Sequence, residues 1–125
     1  MIGPKDKFFK LAKRIAEKSS SITKLGCVIA SKNKVITVGF NDMTKTHPKS
    51  NHPFKTLHAE IRALIGVSEE ETRGCDAYVY REIKSGRVAM AKPCDACMQA
   101  LRLAKIKRVF FTTDSGWDME EIVRS

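Results

Sequence analysis

No apolar run in this sequence reaches membrane-spanning length, and the opening Met1-Ile2-Gly3-Pro4-Lys5 lacks the apolar centre of a secretory leader. These absences lead to the expectation of a soluble, cytoplasmic protein without a membrane partner. Repeats, low-complexity tracts and linker-like stretches are missing as well, which excludes solenoids and strings of domains. At 125 residues and 42% hydrophobic content, the chain suits a single domain over 1–125 with a real core and is too short for two. Acidic residues are scarce beside basic ones, 14 against 23, so the net charge is +9 with a pI near 9.6. That balance calls for an anionic partner, either a nucleotide phosphate or a nucleic acid. Cysteine is limited to four residues. Two of them form one C-x-x-C unit, and Cys27 and Cys75 lie in strand-like surroundings, so reduced thiols fit better than a disulfide framework. Cys27 and Cys75 read as small buried hydrophobes.

What is present centres on Lys92-Pro93-Cys94-Asp95-Ala96-Cys97. Its two thiols sit three residues apart where a helical pattern begins, so they share one helix face. Unpaired N–H groups and the positive end of the macrodipole favour thiolates there. Two thiolates do not complete a tetrahedral metal site. Upstream, Thr56-Leu57-His58-Ala59-Glu60 offers an imidazole and a carboxylate. His58, Cys94 and Cys97 make three ligands with one open position, the pattern of a catalytic zinc, and Glu60 is left as a base. Residues two apart on a regular helix point about 200° away from each other. His58 and Glu60 therefore converge only at the entry turn of the helix, where the backbone is not yet regular and the longer Glu side chain can reach across. His47 and His52 are further imidazoles in the same region, without a second thiol pair to join.

His58-Ala59-Glu60 followed by Pro93-Cys94-Asp95-Ala96-Cys97 resembles the zinc-dependent cytidine and deoxycytidylate deaminase superfamily, with its H-x-E…P-C-x-x-C signature. The resemblance implies a three-layer α/β/α fold with a mixed five-stranded sheet and zinc between the starts of two helices. It also implies that Asn41 holds the substrate sugar or base and that the Ala59 N–H meets the base carbonyl. Arg62 is a candidate phosphate contact. Small deaminases of this type usually assemble, so a homo-oligomer is expected.

The pattern along the chain agrees with such a fold. Phe8, Leu11, Ala12, Ile15 and Ala16 recur at helical spacing between Pro4 and Ser19, and Ser19-Ser20-Ser21 ends that helix. The runs Leu25 to Ser31 and Val35 to Phe40 form a hairpin about Lys32-Asn33. Residues 42–55 form a basic loop leading into a helix capped by Thr56 that fades near Gly66. Asp76 to Tyr80 is a strand, Met90 and Met98 are core filler, and a helix runs from Asp95 to about Ile106. Arg108 to Thr112 is a strand covered on both faces, parallel to its neighbour by the crossover rule. Trp117 to Val123 fits an edge strand or a short helix.

These groups define a reaction. Zinc supplies water activated near neutral pH. Glu60 takes a proton from that water, passes it to N3 of cytosine, and then protonates the exocyclic amine so that ammonia leaves and uracil remains. Gly39-Phe40-Asn41 and the cysteine motif look most like phage and bacterial deoxycytidylate deaminases, which favours dCMP to dUMP. His58-Ala59-Glu60-Ile61-Arg62-Ala63-Leu64 reads equally well as part of a tRNA adenosine deaminase, and the net charge suits single-stranded DNA or RNA. A deaminase acting on cytosine or adenine in a polynucleotide is therefore the alternative. A non-catalytic zinc module that binds nucleic acid is a third reading, which would have no use for Glu60.

Overall fold

The computed structural model describes residues 5–41 and 58–122. Along the chain these form α1 (Asp6–Ala16), β1 (Lys24–Ser31), β2 (Lys34–Phe40), α2 (Ala59–Leu64), α3 (Glu69–Thr72), β3 (Asp76–Glu82), α4 (Asp95–Leu103), β4 (Arg108–Thr113) and β5 (Gly116–Glu121). The sheet has the order β2-β1-β3-β4-β5. β3 and β4 are parallel, as a crossover through α4 requires, and the other pairings are antiparallel. Lys32 at φ 53 turns the β1–β2 hairpin.

Alternation along the strands sorts the core into two layers. Val28, Ala30, Tyr78, Tyr80 and Phe110 meet Phe8, Ala12 and Ala16 of α1. Cys27, Ile29, Ala77, Val79, Val109 and Phe111 meet Ala59, Ala63 and Leu64 of α2 and Leu101 of α4. Strand β1, inside the sheet between β2 and β3, is covered on both faces. Arg108 holds Asp76 through two hydrogen bonds of 2.9 and 3.0 Å, fastening the first residues of β4 and β3 side by side.

Two glycines let helices lie directly on the sheet. A Cβ on Gly26 would sit 2.1 Å from the Ala12 carbonyl oxygen. One on Gly39 would sit 2.5 Å from the Ala63 nitrogen and 2.6 Å from the Ala59 oxygen. Backbone atoms cannot swing aside, so Gly39→Ala is expected to lift α2 from β2 and cost about 1–3 kcal/mol. Urea unfolding measures it, and an unchanged midpoint would refute the close-contact reading. Thr37 also ties down this short helix, its hydroxyl donating to the Ala63 carbonyl at 2.8 Å.

Several sequence expectations change here. α4 stops at Leu103 because Lys105 takes a left-handed φ of 61, and Ile106 is buried after the turn. α3 is an additional helix, started by a capping box between Ser68 and Glu71. Met90 is 48% exposed and does not fill the core, whereas Met98 packs against it. Residues 116–121 are the edge strand β5, antiparallel to β4. α2 is capped by His58 and not by Thr56, because the chain is still extended at His58; Thr56, His47, His52 and the 42–55 loop themselves fall outside the described residues.

Candidate metal centre and adjoining cavity

α2 and α4 begin side by side at one end of the sheet. His58 is the N-cap of α2, with extended backbone at φ −71 and ψ 154, and Glu60 is the second helical residue. The helix thus starts between them. Cys94 is the N-cap of α4, and Cys97 lies in its first turn. Proline before a first turn costs no helical hydrogen bond, and Pro93 occupies that place.

His58 Nδ1 lies 3.4 Å from Cys97 Sγ and 3.9 Å from Cys94 Sγ. The donor atoms of His58, Cys94 and Cys97 all lie within 4.8 Å of one another. A tetrahedral zinc with Zn–S of about 2.3 Å and Zn–N of about 2.0 Å separates such donors by about 3.5 Å. One nitrogen and two sulfurs at these distances fit that ion, and no other such cluster occurs among the described residues. His58 is partly exposed, Cys94 is exposed and Cys97 is buried, so the cluster opens toward one side.

Electrostatics around the cluster are set mainly by burial. The carboxyl of Glu60 is 2% exposed. Its Oε1 has no hydrogen-bond partner among the described residues. Burial pushes its pKa from 4.5 up to about 7, opposed by a hydrogen bond with the backbone of its own residue. Burial also drives the Cys97 thiol far above its usual range, with the Glu60 charge adding to the shift. The helix terminus alone would favour a thiolate, and for Cys97 desolvation wins. Only a cation can reverse that balance, because a coordinating thiol is deprotonated outright. Zinc uptake at neutral pH is therefore expected to release protons, and apparent affinity should rise with pH. Calorimetry in buffers of different ionisation enthalpy measures the release, and a result near zero would contradict thiolate ligation.

Beside the cluster lies a cavity of about 570 Å³, lined by the 20–23 segment with Leu25, Asn41, His58 and Ala59. Its size is within the range of small-molecule sites, about 300–1,000 Å³. Ala59 opens α2, so its N–H has no partner within the helix. Asn41 is buried, and its side-chain amide accepts from the Leu25 N–H of β1 and donates to the Thr23 carbonyl just before that strand. Arg62 stacks over the Phe40 ring at 4.0 Å and does not line the cavity. Sequence reasoning reads Ser19-Ser20-Ser21 only as a helix end, gives Ile22 and Thr23 no role, and overlooks the segment as a wall. The density of hydroxyl side chains in Ser19-Ser20-Ser21-Ile22-Thr23 is the one cue that could have found it.

A family model described as the cytidine and deoxycytidylate deaminase zinc-binding region matches residues 3–113. The chain belongs to that family, and the zinc its description names is the ion for which this donor set is suited. The deoxycytidylate deaminases of Pongo abelii and Mus musculus are each 25% identical to it over 127 residues. Each alignment covers 90% of this chain and 64% of the relative, so the chain spans less than two thirds of their length. Among solved structures, the cytidine deaminase of Burkholderia pseudomallei has a TM-score of 0.66 at 20% identity, covering 96% of this chain and 94% of its own. The dCMP deaminase of cyanophage S-TIM5, in complex with dCMP and dUMP, has a TM-score of 0.62 at 19% identity, covering 90% and 85%. At such identities the likeness shows a shared fold.

Proposed function

We propose that this chain carries out zinc-dependent hydrolytic deamination of cytosine to uracil in a free nucleotide, with dCMP converted to dUMP. The observation that carries the reading is the buried carboxyl of Glu60 beside a His-Cys-Cys cluster, at the edge of a nucleotide-sized cavity. Relatives named deoxycytidylate deaminases support the choice of substrate.

His58, Cys94 and Cys97 would hold the metal. When bound, zinc supplies Lewis acidity and a water activated near neutral pH. Glu60 would move two protons, one from the attacking water to N3 of the base and a second from the hydroxyl added at C4 to the amine, so that ammonia leaves and the C4 carbonyl of uracil remains. Its pKa near 7 suits a group that both accepts and donates. The apolar surroundings keep bulk water away from the transfer. The Ala59 N–H would orient the base carbonyl, and Asn41 would help shape the sugar end of the cavity. Preference for a phosphorylated substrate would need a cation, and Arg62, stacked over Phe40 outside the cavity lining, would have to turn toward the cavity to supply it. We expect a homo-oligomer, as small enzymes of this type usually assemble.

The net charge of +9 favours a second reading, deamination of cytosine or adenine within single-stranded DNA or RNA. Incubating zinc-loaded protein with dCMP, dCTP, cytidine and a cytosine-containing oligonucleotide separates the two. Release of dUMP and ammonia from dCMP is the expected result. Turnover of the oligonucleotide alone, with steep salt dependence, would transfer the assignment to the second reading. No turnover of any cytosine or adenine substrate would overturn both.

A further inference from the structure

β3 and β4 pair with each other only as far as Val79 and Phe111, and beyond that pair their ends part. The chain fills the fork with itself. After β3 it turns at Gly86, the Ile83 N–H donating to the Arg87 carbonyl at 3.0 Å and Val88 bridging back to Glu82, and residues 89–91 return between the two strands. On the β3 side the Ala89 N–H donates to the Arg81 carbonyl at 3.0 Å, and on the β4 side the Ala91 N–H donates to the Thr112 carbonyl at 2.9 Å. One hydroxyl joins all three segments. Thr112 Oγ1 accepts the Arg81 N–H at 3.2 Å and donates to the Ala89 carbonyl at 2.9 Å. From the outer side, Arg81 Nη1 adds a bond of 3.1 Å to the Met90 carbonyl. Ala89, Ala91 and Thr112 are buried, so a bond removed there leaves its partner unsatisfied.

This wedge leads straight to Cys94. Only Lys92 and Pro93 lie between Ala91 and Cys94, and the proline ring fixes its own φ, so little slack remains. On the other side the Cys94 carbonyl accepts the Met98 N–H at 2.8 Å. Cys97 is buried within the packed first turn of α4, whereas Cys94 is exposed at the N-cap and is placed by what precedes it. We propose that Thr112 and Arg81 are positioning residues for the metal centre, clasping the 89–91 segment so that Cys94 stands beside His58 and Cys97 before an ion arrives. Neither belongs to the donor cluster. A cluster assembled in advance loses no affinity to the ordering of a ligand. The proposal rests on Cys94 as a ligand and is independent of which substrate the site takes.

The experiment measures the zinc affinity of the full chain by competition with a chromogenic chelator. Thr112→Val should bind zinc about tenfold more weakly, the low end of what loss of an outer-shell partner costs, and Arg81→Met about threefold more weakly. Thr112→Ser keeps the hydroxyl and should stay within about twofold of wild type. Thr72→Val controls for general loosening. The Thr72 hydroxyl is equally enclosed and donates to the Ala104 carbonyl at 2.7 Å, at the opposite end of α4, so its loss should lower the urea midpoint and leave zinc affinity unmoved. Hydrogen exchange in the metal-free protein should show the Ala91 amide losing protection in Thr112→Val and keeping it in Thr72→Val. Wild-type affinity in Thr112→Val overturns the proposal. So does an equal fall in Thr72→Val, which would mark a global effect, or a Thr112→Ser variant as weak as Thr112→Val. If Thr112→Val does not fold, Arg81→Met decides, and unchanged affinity there counts against the clasp. Cys94→Ala is measured beside them. Tight stoichiometric zinc in that variant would remove the ligand assignment and the proposal with it, whereas loss of zinc there alongside wild-type affinity in Thr112→Val would overturn the clasp alone.

Discussion

Glu60→Gln is expected to bind zinc as the parent protein does and to deaminate dCMP about 10²–10⁴-fold more slowly, the usual contribution of a positioned proton-transfer group. Glutamine matches the shape of the buried side chain but cannot carry a proton to N3 or to the amine. Cavity formation is therefore not the cause of the loss. A control comes from the metal-free protein. The folded-state pKa of Glu60 is raised from 4.5 to about 7, so its contribution to stability is full below about pH 4.5 and is lost as pH rises through about 7. Replacing it with glutamine removes that loss, and metal-free Glu60→Gln should unfold at a higher urea concentration than its parent at pH 8. Turnover within tenfold of wild type would show that the proton is moved by another group.

Cys97→Ala has the second large effect, expected as a fall in zinc affinity of more than about 100-fold, beyond what loss of an outer-shell partner costs. Cys97 is the donor nearest His58, at 3.4 Å, and is fully buried. No solvent group can take its place. Cys27 provides the comparison, because it is just as buried and lies outside the donor cluster. Cys27→Ala should lower stability by a few kcal/mol at most while keeping one zinc per chain. Metal analysis after dialysis separates the two. Stoichiometric zinc in Cys97→Ala would contradict the ligand set.

Particular residues show why some of this was legible in the sequence and some was not. The C-x-x-C unit and the H-x-E unit each lie at a helix start, and local spacing alone places their side chains. The two-layer core follows from alternation, as in Ala77-Tyr78-Val79-Tyr80, whose members divide between the two clusters. The ambiguity at Trp117 had a physical source. β5 is an edge strand exposed along most of its length, so burial exerts little pressure on its composition. Ser68 and Glu71 have capping-box spacing, but the helix they start is only four residues long. Met90 is exposed because the segment that crosses from β3 to Cys94 hangs from Arg81, whose Nη1 donates to its carbonyl at 3.1 Å. The wall formed by Ser20 to Thr23 depends on bonds from Asn41, sixteen and eighteen positions away from Leu25 and Thr23, which no local pattern reports.

Zinc K-edge X-ray absorption on the protein as purified tests the central claim most directly. The account predicts two sulfur scatterers at about 2.3 Å and two nitrogen or oxygen scatterers at about 2.0 Å for each zinc, one of the latter exchangeable with solvent. A shell of three or four sulfurs, or a protein that takes up no zinc, would contradict it.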